Sequence, residues 1–231
     1  MTAGATILAV EDDPRLLRLI TLTLENDGYK VLTAPDGETA LRILGDHIPD
    51  LIVLDLMLPG SVSGLDVCRT VRGFSRVPVI MLTSKAKEAD KLEGFEAGAD
   101  DYVTKPFSCP ELKARIKAVL NRSMSAPASS PPVFRLNDLE VDFAKRRAYF
   151  AGRELNLTQT EFQVLRYLSQ NAGKVLLHSE ILSEVWGPEY REELQYLRNY
   201  IANLRKKIEP DPADPKYIRS KPGTGYYIPE E

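Results

Sequence analysis

The sequence predicts an α/β domain with a doubly wound parallel sheet, followed by a smaller α+β domain. Five short apolar runs alternate with helical patterns up to residue 121, as in successive β-α units. A segment rich in Ser and Pro, NRSMSAPASSPP, fills positions 121–132, and its composition is typical of a flexible linker. Beyond it the pattern changes to alternating runs and amphipathic helices. We therefore expect domains at 1–121 and 133–231, joined by a linker at 122–132.

The five apolar runs of the first domain predict five strands. Two of them, at 51–54 and 79–82, are apolar throughout, as expected for strands that are covered on both faces. The others lie at 7–10, 31–34 and 101–104. Right-handed crossovers through the intervening helices give a five-stranded parallel sheet of order 2-1-3-4-5.

Helical stripes separate these runs. The first stripe stops before Gly28, which follows Asn and Asp in a helix-stop signal. Its apolar residues are Leu16, Leu17, Ile20 and Leu24. Further stripes contain Leu41 and Leu44, then Leu92 and Phe95, and then Leu112, Ile116, Val119 and Leu120.

The second domain begins with positions 134–155, where apolar and polar residues alternate around turns. This alternation predicts a small antiparallel sheet. Thr158 can cap the next helix, which carries the apolar residues Phe162, Leu165 and Leu168. Further helices are expected at about 179–185 and 194–208, and two short strands with a Pro-Gly-rich turn at 216–228. Helices followed by such a hairpin indicate a winged helix-turn-helix.

Composition excludes several classes of protein. No run of about 18 apolar residues occurs, and the first residues lack the basic start of a signal peptide, so we expect a cytoplasmic protein without membrane association. Cys68 and Cys109 lie far apart, which predicts free thiols. Neither His47 nor His178 has a second ligand at metal spacing.

Acidic residues follow the first and third predicted strands. The first strand runs into Glu11 and Asp12, and the third into Asp55. Ligands of open α/β sheets bind beyond the carboxyl ends of the strands, so these three carboxylates are expected to converge. Their like charges need a cation, and hard oxygen ligands suit Mg²⁺. Thr83 and Lys105 end the fourth and fifth strands and can hold phosphoryl oxygens, whereas Asp13 is expected to cap a helix or to face solvent.

Four motifs of residues 5–121 resemble the receiver domain of two-component response regulators: ILAVEDDP, PDLIVLDLMLPG, VPVIMLTSK and GADDYVTKPF. The resemblance implies that Asp55 accepts phosphate from a histidine kinase. It implies that Asp12, Asp55 and the carbonyl of Met57 bind Mg²⁺, with Glu11 acting through water. Thr83 and Lys105 would hold the phosphoryl group, the Lys105-Pro106 peptide would be cis, and Tyr102 would be the aromatic switch.

Two further features follow from the comparison with that family. The loop after Asp55 has one residue more than the usual pattern, since Ser61-Val62-Ser63 stands between Gly60 and Gly64. The resemblance also implies a homodimer in the phosphorylated state. Its interface residues would be Lys91, Leu92, Asp101, Glu111 and Arg115, with Lys91 paired to Glu111 and Asp101 to Arg115 across the two-fold axis.

A local excess of base marks the end of the second domain. Positions 194–222 carry seven basic and three acidic residues. Leu197, Ile201 and Leu204 fall on one face of the helix predicted there, and polar and basic residues fall opposite. Such a helix suits a DNA major groove, but an ordinary amphipathic surface helix shows the same pattern.

The motifs LTQTEFQVLRYL, ILSEVWG, YLRNYIANLRKKIE and KPGTGYY resemble the OmpR/PhoB-type effector domain, and its KdpE-like subgroup most. The resemblance implies binding to double-stranded DNA. Arg198, Tyr200 and Arg205 would contact phosphates, and Asn199, Ala202 and Asn203 would face base edges. Lys206, Arg219 and Lys221 complete the expected DNA-binding set, while Pro222 occupies the position where many relatives insert Arg.

The sequence thus predicts a phosphorylation-activated transcriptional regulator and not a turnover enzyme. A dehalogenase-type phosphatase needs a second Asp where this chain has Met57, and a dinucleotide enzyme needs GxGxxG where it has Glu11-Asp12-Asp13. The alternative is a phosphorylation-independent DNA-binding regulator with an atypical receiver. The expected partners are a sensor histidine kinase, DNA and a second copy of the chain, with RNA polymerase as a further candidate.

Overall fold

The computed structural model describes residues 4–83, 97–122 and 133–230. The chain divides into two compact units, Met1–Ser123 and Met124–Glu231. Most of the predicted linker (123–132) lies outside the described residues, as does the helical stripe with Leu92 and Phe95.

The first unit contains the predicted five-stranded parallel sheet. Its order, β2-β1-β3-β4-β5, confirms the predicted topology. Residues of neighbouring strands align in parallel register, with Val10 opposite Leu54 and Asp55 opposite Leu82. The strands are β1 (Thr6–Val10), β2 (Lys30–Ala34), β3 (Leu51–Asp55), β4 (Val79–Thr83) and β5 (Asp101–Thr104). Every residue of β3 and β4 is buried, as their continuous apolar sequences require.

The described helices of this unit are α1 (Pro14–Glu25), α2 (Gly37–Asp46), α3 (Gly64–Phe74) and α4 (Cys109–Arg122). Asp13 caps α1, since its Oδ1 accepts from the amides of Arg15 and Leu16 at 2.8 and 3.3 Å. After α1 the chain turns at Gly28, whose φ of 84° suits glycine. The helices cover a continuous apolar core in which Ile7, Val53, Ile80, Val103 and Ile116 are fully buried.

Sequence reasoning locates no helix at α3, because its buried apolar stripe is limited to Val67, Cys68 and Val71. A local signal for its start is nevertheless present. Ser63 Oγ accepts from the amide of Asp66, and Asp66 accepts in return from the amide of Ser63. This capping box fixes the first turn of α3.

The second unit contains two small antiparallel sheets around three helices, which confirms the predicted winged-helix architecture. The first sheet is β6 (Val133–Leu136), β7 (Leu139–Asp142), β8 (Arg147–Phe150) and β9 (Arg153–Glu154), in that order. The helices are α5 (Gln159–Gln170), α6 (His178–Val185) and α7 (Leu194–Ile208), with a short 3₁₀ helix at Pro188–Tyr190. The second sheet has the order β10-β12-β11, from β10 (Leu176–Leu177), β11 (Arg219–Lys221) and β12 (Gly225–Tyr227).

Thr158 caps α5 as expected, because its Oγ1 accepts from the amide of Glu161 at 3.2 Å. The core of this unit includes Trp186, whose ring lies 5.1 Å from that of Tyr200. Leu197, Ile201 and Leu204 of α7 are buried on the same side, which anchors the helix through its apolar face. Among the described residues, no helix is long and apolar enough to cross a membrane.

Candidate functional site

Three carboxylates meet at the carboxyl edge of the parallel sheet. Glu11 follows β1, Asp12 is next to it, and Asp55 ends β3. One carboxylate oxygen from each lies within 4.8 Å of the others. Glu11 and Asp55 are 1% and 4% exposed, while Asp12 is exposed. A group of hard oxygen donors that is partly open to solvent fits a hard divalent cation.

Lys105 enters the same pocket from the end of β5. Its Nζ lies 2.6 Å from Glu11 Oε2 and 2.7 Å from Asp55 Oδ2. The Lys105 amide donates to the carbonyl of Thr83 at 2.6 Å, and the Lys105-Pro106 peptide is cis, as the resemblance implied. One ammonium group therefore bridges two of the three carboxylates.

The electrostatics of the pocket reflect burial in competition with these ion pairs. Burial raises the pKa of Glu11, and the charge of Asp55 adds to the rise, although the hydrogen bond from Lys105 opposes it. Burial by itself would lower the pKa of Lys105, but its hydrogen bonds to Asp55 and Glu11 outweigh burial and raise that pKa. The lysine therefore stays cationic at neutral pH and can attract phosphoryl oxygens.

The backbone around Asp55 is closely packed. Asp55 Oδ1 accepts from the amide of Met57 at 3.2 Å, and the amide of Leu56 donates to the carbonyl of Leu82 at 2.9 Å. Gly64 begins α3 so close to Asp55 that an added Cβ would lie 2.0 Å from the Asp55 carbonyl oxygen. Only glycine fits there, so the start of α3 and the end of β3 fix each other's position.

Thr83 and Tyr102 are both buried beside this edge of the sheet, at 2% and 1% exposure. Thr83 ends β4, and Tyr102 lies in β5 opposite Met81. The side chain of Tyr102 is thus buried in this structure, and the switch role that the resemblance implies for it stays a prediction.

The longer loop between β3 and α3 packs on the start of α2. Glu38 Oε1 accepts from the Ser61 hydroxyl at 2.7 Å and from its amide at 3.1 Å. A Cβ on Gly37 would lie 2.3 Å from the carbonyl oxygen of Val62. The loop that contains the additional residue is therefore held against the start of α2.

The structure changes the interpretation of the predicted dimer pairs. Asp101 is fully buried, and its Oδ1 accepts from Arg115 of the same chain at 3.3 Å. Arg115 also pairs with Glu111, one helical turn away, at 3.1 Å. A pairing of Asp101 with Arg115 across an interface would have to replace this intramolecular contact. Lys91 and Leu92 lie outside the described residues.

The outer face of α7 differs in part from the predicted one. Arg198, Ala202 and Lys206, spaced four residues apart, are exposed, and Asn203 is half-buried beside them. Arg219 and Lys221 of β11 are also exposed. These residues form a basic surface on a helix and a neighbouring strand, which we call the helix-wing surface.

Three other residues of the predicted DNA-binding set make contacts within the second unit. Tyr200 is 2% exposed because it packs on Trp186, so its ring does not reach the outer surface. Asn199 is 8% exposed, and its Oδ1 accepts from Gln195 at 3.2 Å. Arg205 Nε and Nη2 donate to the carbonyl of Ile218 at 3.0 and 2.7 Å. Asn199 and Tyr200 are thus buried, and two nitrogens of the half-buried Arg205 donate to the backbone of the same chain.

Sequence reasoning missed two buried acids next to this surface. Glu161 accepts from Lys207 Nζ at 2.6 Å and thereby ties the last turn of α7 to α5. Glu209, just after α7, accepts from three successive backbone amides: Lys216, Tyr217 and Ile218. The capping pattern of Thr158 with Glu161 is a signal for the first; no local pattern marks the second.

Two family models match the chain. One, described as the response regulator receiver domain, matches residues 7–117. The other, described as transcriptional regulatory protein, C terminal, matches residues 152–228. The matches fall on the two units that carry the acidic pocket and the helix-wing surface.

Individual relatives match over nearly the full length. The chain is 42% identical over 220 residues to the transcriptional regulatory protein KdpE of Mycobacterium tuberculosis, which covers 95% of this chain and 97% of that protein. It is 41% identical to the KDP operon transcriptional regulatory protein KdpE of Escherichia coli K12, with the same coverage. Among solved structures it is similar to the response regulator DrrB of Thermotoga maritima, an OmpR/PhoB homologue, with 33% identity, a TM-score of 0.53 and coverage of 98% and 99%.

Proposed function

The chain belongs to the OmpR/PhoB family of two-component response regulators, and from that premise we propose that phosphorylation of Asp55 by a sensor histidine kinase controls its binding to promoter DNA. The observation that carries the proposal is the convergence of Glu11, Asp12, Asp55 and Lys105 in one pocket. The family consists of transcription factors and not of turnover enzymes, and we infer that this member acts in the cytoplasm, where its DNA lies.

The pocket supplies what phosphoryl transfer to a carboxylate needs. An Asp55 oxygen would form a bond to phosphorus while the bond from phosphorus to the donor breaks, and its electron pair leaves with the donor nitrogen. Asp12, Asp55 and the Met57 carbonyl would hold Mg²⁺, with Glu11 acting through water. The ion would neutralise the developing negative charge. Lys105 already contacts Asp55 and would follow the charge onto the phosphoryl oxygens, with the Thr83 hydroxyl as a further donor.

Intact-protein mass spectrometry tests this assignment. The wild type is incubated with acetyl phosphate and Mg²⁺ and is expected to gain one phosphoryl group, whereas Asp55→Asn gains none, because an amide is not a nucleophile toward phosphorus. Asp13→Asn is the matched control: it changes an acid of the same motif whose role is to cap α1, and Asn caps helices equally well. It is expected to be phosphorylated like the wild type.

Phosphorylation of Asp55→Asn at the wild-type rate would refute the assignment. The alternative function, a regulator that binds DNA without phosphorylation, predicts a different result. Under it, wild-type DNA affinity is the same with and without acetyl phosphate.

For the second unit we propose that α7 enters the major groove and that β11 and β12 form the wing. Arg198 and Lys206 would contact phosphates, Ala202 and Asn203 would face base edges, and the wing would add Arg219 and Lys221. The support for this proposal is the exposure of Arg198, Ala202, Lys206, Arg219 and Lys221, together with the contact between α7 and β11 through Arg205 and Ser220. We leave Asn199 and Tyr200 out of the proposed contacts because both are buried in this structure.

We also propose that phosphorylation promotes a homodimer through α4, β5 and the segment that contains Lys91 and Leu92. Glu111 is the most accessible described acid of this surface, with 41% of its side chain exposed. Because exposed ion pairs contribute only about 0–1 kcal/mol each, several pairs must act together. RNA polymerase is a further proposed partner of the DNA-bound form.

A further inference from the structure

Two charged side chains, one in α7 and one just after it, bind the backbone of residues 216–218, which lead into β11. Glu209 is 7% exposed, and its two oxygens accept from the amides of Lys216, Tyr217 and Ile218 at 2.7, 2.9 and 2.8 Å. Arg205 donates twice to the carbonyl of Ile218. The amide and carbonyl of Ile218 are therefore held by side chains of α7, the proposed recognition helix, and of the residue that follows it.

Arg205 also contacts both strands of the proposed wing, β11 and β12. Its Nη2 donates to the Ser220 hydroxyl at 2.8 Å, and its guanidinium lies 5.8 Å from the centre of the Tyr226 ring. Burial lowers the pKa of Arg205 while Tyr226 and Glu209 oppose the change, consistent with a guanidinium that is partly removed from solvent. Its side-chain hydrogen bonds and its ring contact in the described part of the chain are all with β11, β12 or the residue before β11.

We propose that Arg205 and Glu209 are positioning residues that lock the wing to the recognition helix, so that the two bind DNA as one rigid unit. The inference rests on the proposed DNA binding by the helix-wing surface and adds to it. It assigns Arg205 an internal role in place of a phosphate contact. The physical reason is that a charged side chain with two or three short hydrogen bonds in a partly buried site is costly to remove from its partners.

A double-mutant cycle with the full-length phosphorylated protein tests the proposal. The probe is a double-stranded DNA selected from random sequence by the wild type, and fluorescence anisotropy gives the Kd. Lys221→Ala is expected to weaken wild-type binding about fivefold, but less than about twofold in a Glu209→Gln background. The reason is that Gln keeps the size of Glu but directs an NH₂ group at backbone amides, so the wing loses its fixed position and Lys221 its contact.

Asp214→Asn is the matched control. It lies in the same loop, removes the same charge, and its exposed side chain makes no hydrogen bond in the described part of the chain. In this background Lys221→Ala is expected to keep its full effect. If Glu209→Gln only lowered the stability of the second unit, Lys221→Ala would weaken DNA binding by the same factor with and without it. A smaller factor in the Glu209→Gln background therefore indicates a positioning role.

Salt dependence gives a second readout. Arg198→Ala is expected to make the slope of log K against log salt shallower by about one unit, as loss of a phosphate contact does. Arg205→Ala is expected to weaken binding without that change. Equal effects of Lys221→Ala in all backgrounds, or a shallower slope for Arg205→Ala, would overturn the proposal while DNA binding by the wild type stands. No binding by the phosphorylated wild type would instead refute the proposed function.

Discussion

Gly64 controls how closely α3 approaches the proposed phosphoacceptor. An added Cβ would lie 2.0 Å from the Asp55 carbonyl oxygen, so Gly64→Ala must displace the end of β3 or the start of α3. Because misplacement of a reacting group by about 1 Å can cost 10²-fold in rate, we expect phosphorylation by acetyl phosphate to slow by about tenfold to a hundredfold. The rate is measured by intact mass against time.

Gly73→Ala is the control for this substitution. Gly73 lies in the same helix, and no atom lies within 4 Å of its added Cβ. Its phosphorylation rate is expected to stay within about twofold of wild type, since Ala favours the helix by only about 0.5–1 kcal/mol. If the two variants phosphorylate at the same rate, the close approach at Gly64 has no role in the reaction.

Single residues of the pocket were predictable because each follows a strand directly. A strand end is a local feature of the sequence, and parallel topology brings such ends to one edge. Tyr200 and Asn199 were not predictable in the same way. The apolar stripe of α7 predicts one buried face, but Tyr200 is not part of that stripe and packs on Trp186, a contact between residues distant in sequence.

At the scale of elements, Arg72 joins α3 to the start of β5. Its Nη2 pairs with the fully buried Asp100 at 2.8 Å, and its other nitrogens donate to the carbonyls of Gly98 and Val77. Arg72→Ala removes the ion pair of this guanidinium with the buried carboxylate. We expect the free energy of unfolding of the first unit to fall by about 3 kcal/mol or more, measured by urea unfolding with far-UV circular dichroism.

Arg69→Ala is the comparison within the same helix, because the ion pair of Arg69 with Asp66 is exposed on both sides. Its loss is expected to cost less than about 1 kcal/mol. Trp186 is the single tryptophan, so its fluorescence follows unfolding of the second unit. The urea midpoint of that transition is expected to be unchanged in either variant. Equal destabilisation by the two substitutions would show that the buried pair has no special weight.

Elements with strong periodicity were predicted well, and α3 shows why one was not. Its apolar residues are few, so periodicity is weak, and its position is fixed by the capping box at Ser63 and by contact with Asp55. The hydrogen bonds from the amides of residues 216–218 to Glu209 were also not predictable from periodicity. They depend on a loop conformation that no residue pattern specifies.

For the whole molecule, phosphorylation is expected to act through pairing of two chains on DNA. Two half-sites about 10–11 base pairs apart place both recognition helices on one face of the duplex. A phosphorylated dimer is therefore expected to bind DNA with two half-sites at least about tenfold more tightly than DNA with one. Glu111→Lys is expected to abolish this advantage. Affinity for one half-site is expected to be retained, because Glu111 lies in the first unit and the proposed DNA-binding residues lie in the second.

Fluorescence anisotropy measures the affinity for DNA with one half-site and for DNA with two. Sedimentation velocity measures the fraction of dimer. A Glu111→Lys protein that still dimerises and keeps the advantage would place the interface elsewhere. The intramolecular pairs of Arg115 make Glu111 the better choice for this test than Asp101, since reversal of a buried charge would also destabilise the fold.

The separation of gripping residues from outward-facing residues on α7 has a consequence for evolution. Arg205 and Glu209 hold the geometry, whereas Ala202 is exposed, so its side chain can change without loss of packing. Duplicated copies of such a gene can therefore acquire new operator sequences through one or two substitutions at low cost in stability. Under the proposed DNA binding, the residues expected to select the target are not those that maintain the fold, so one scaffold can serve many regulons.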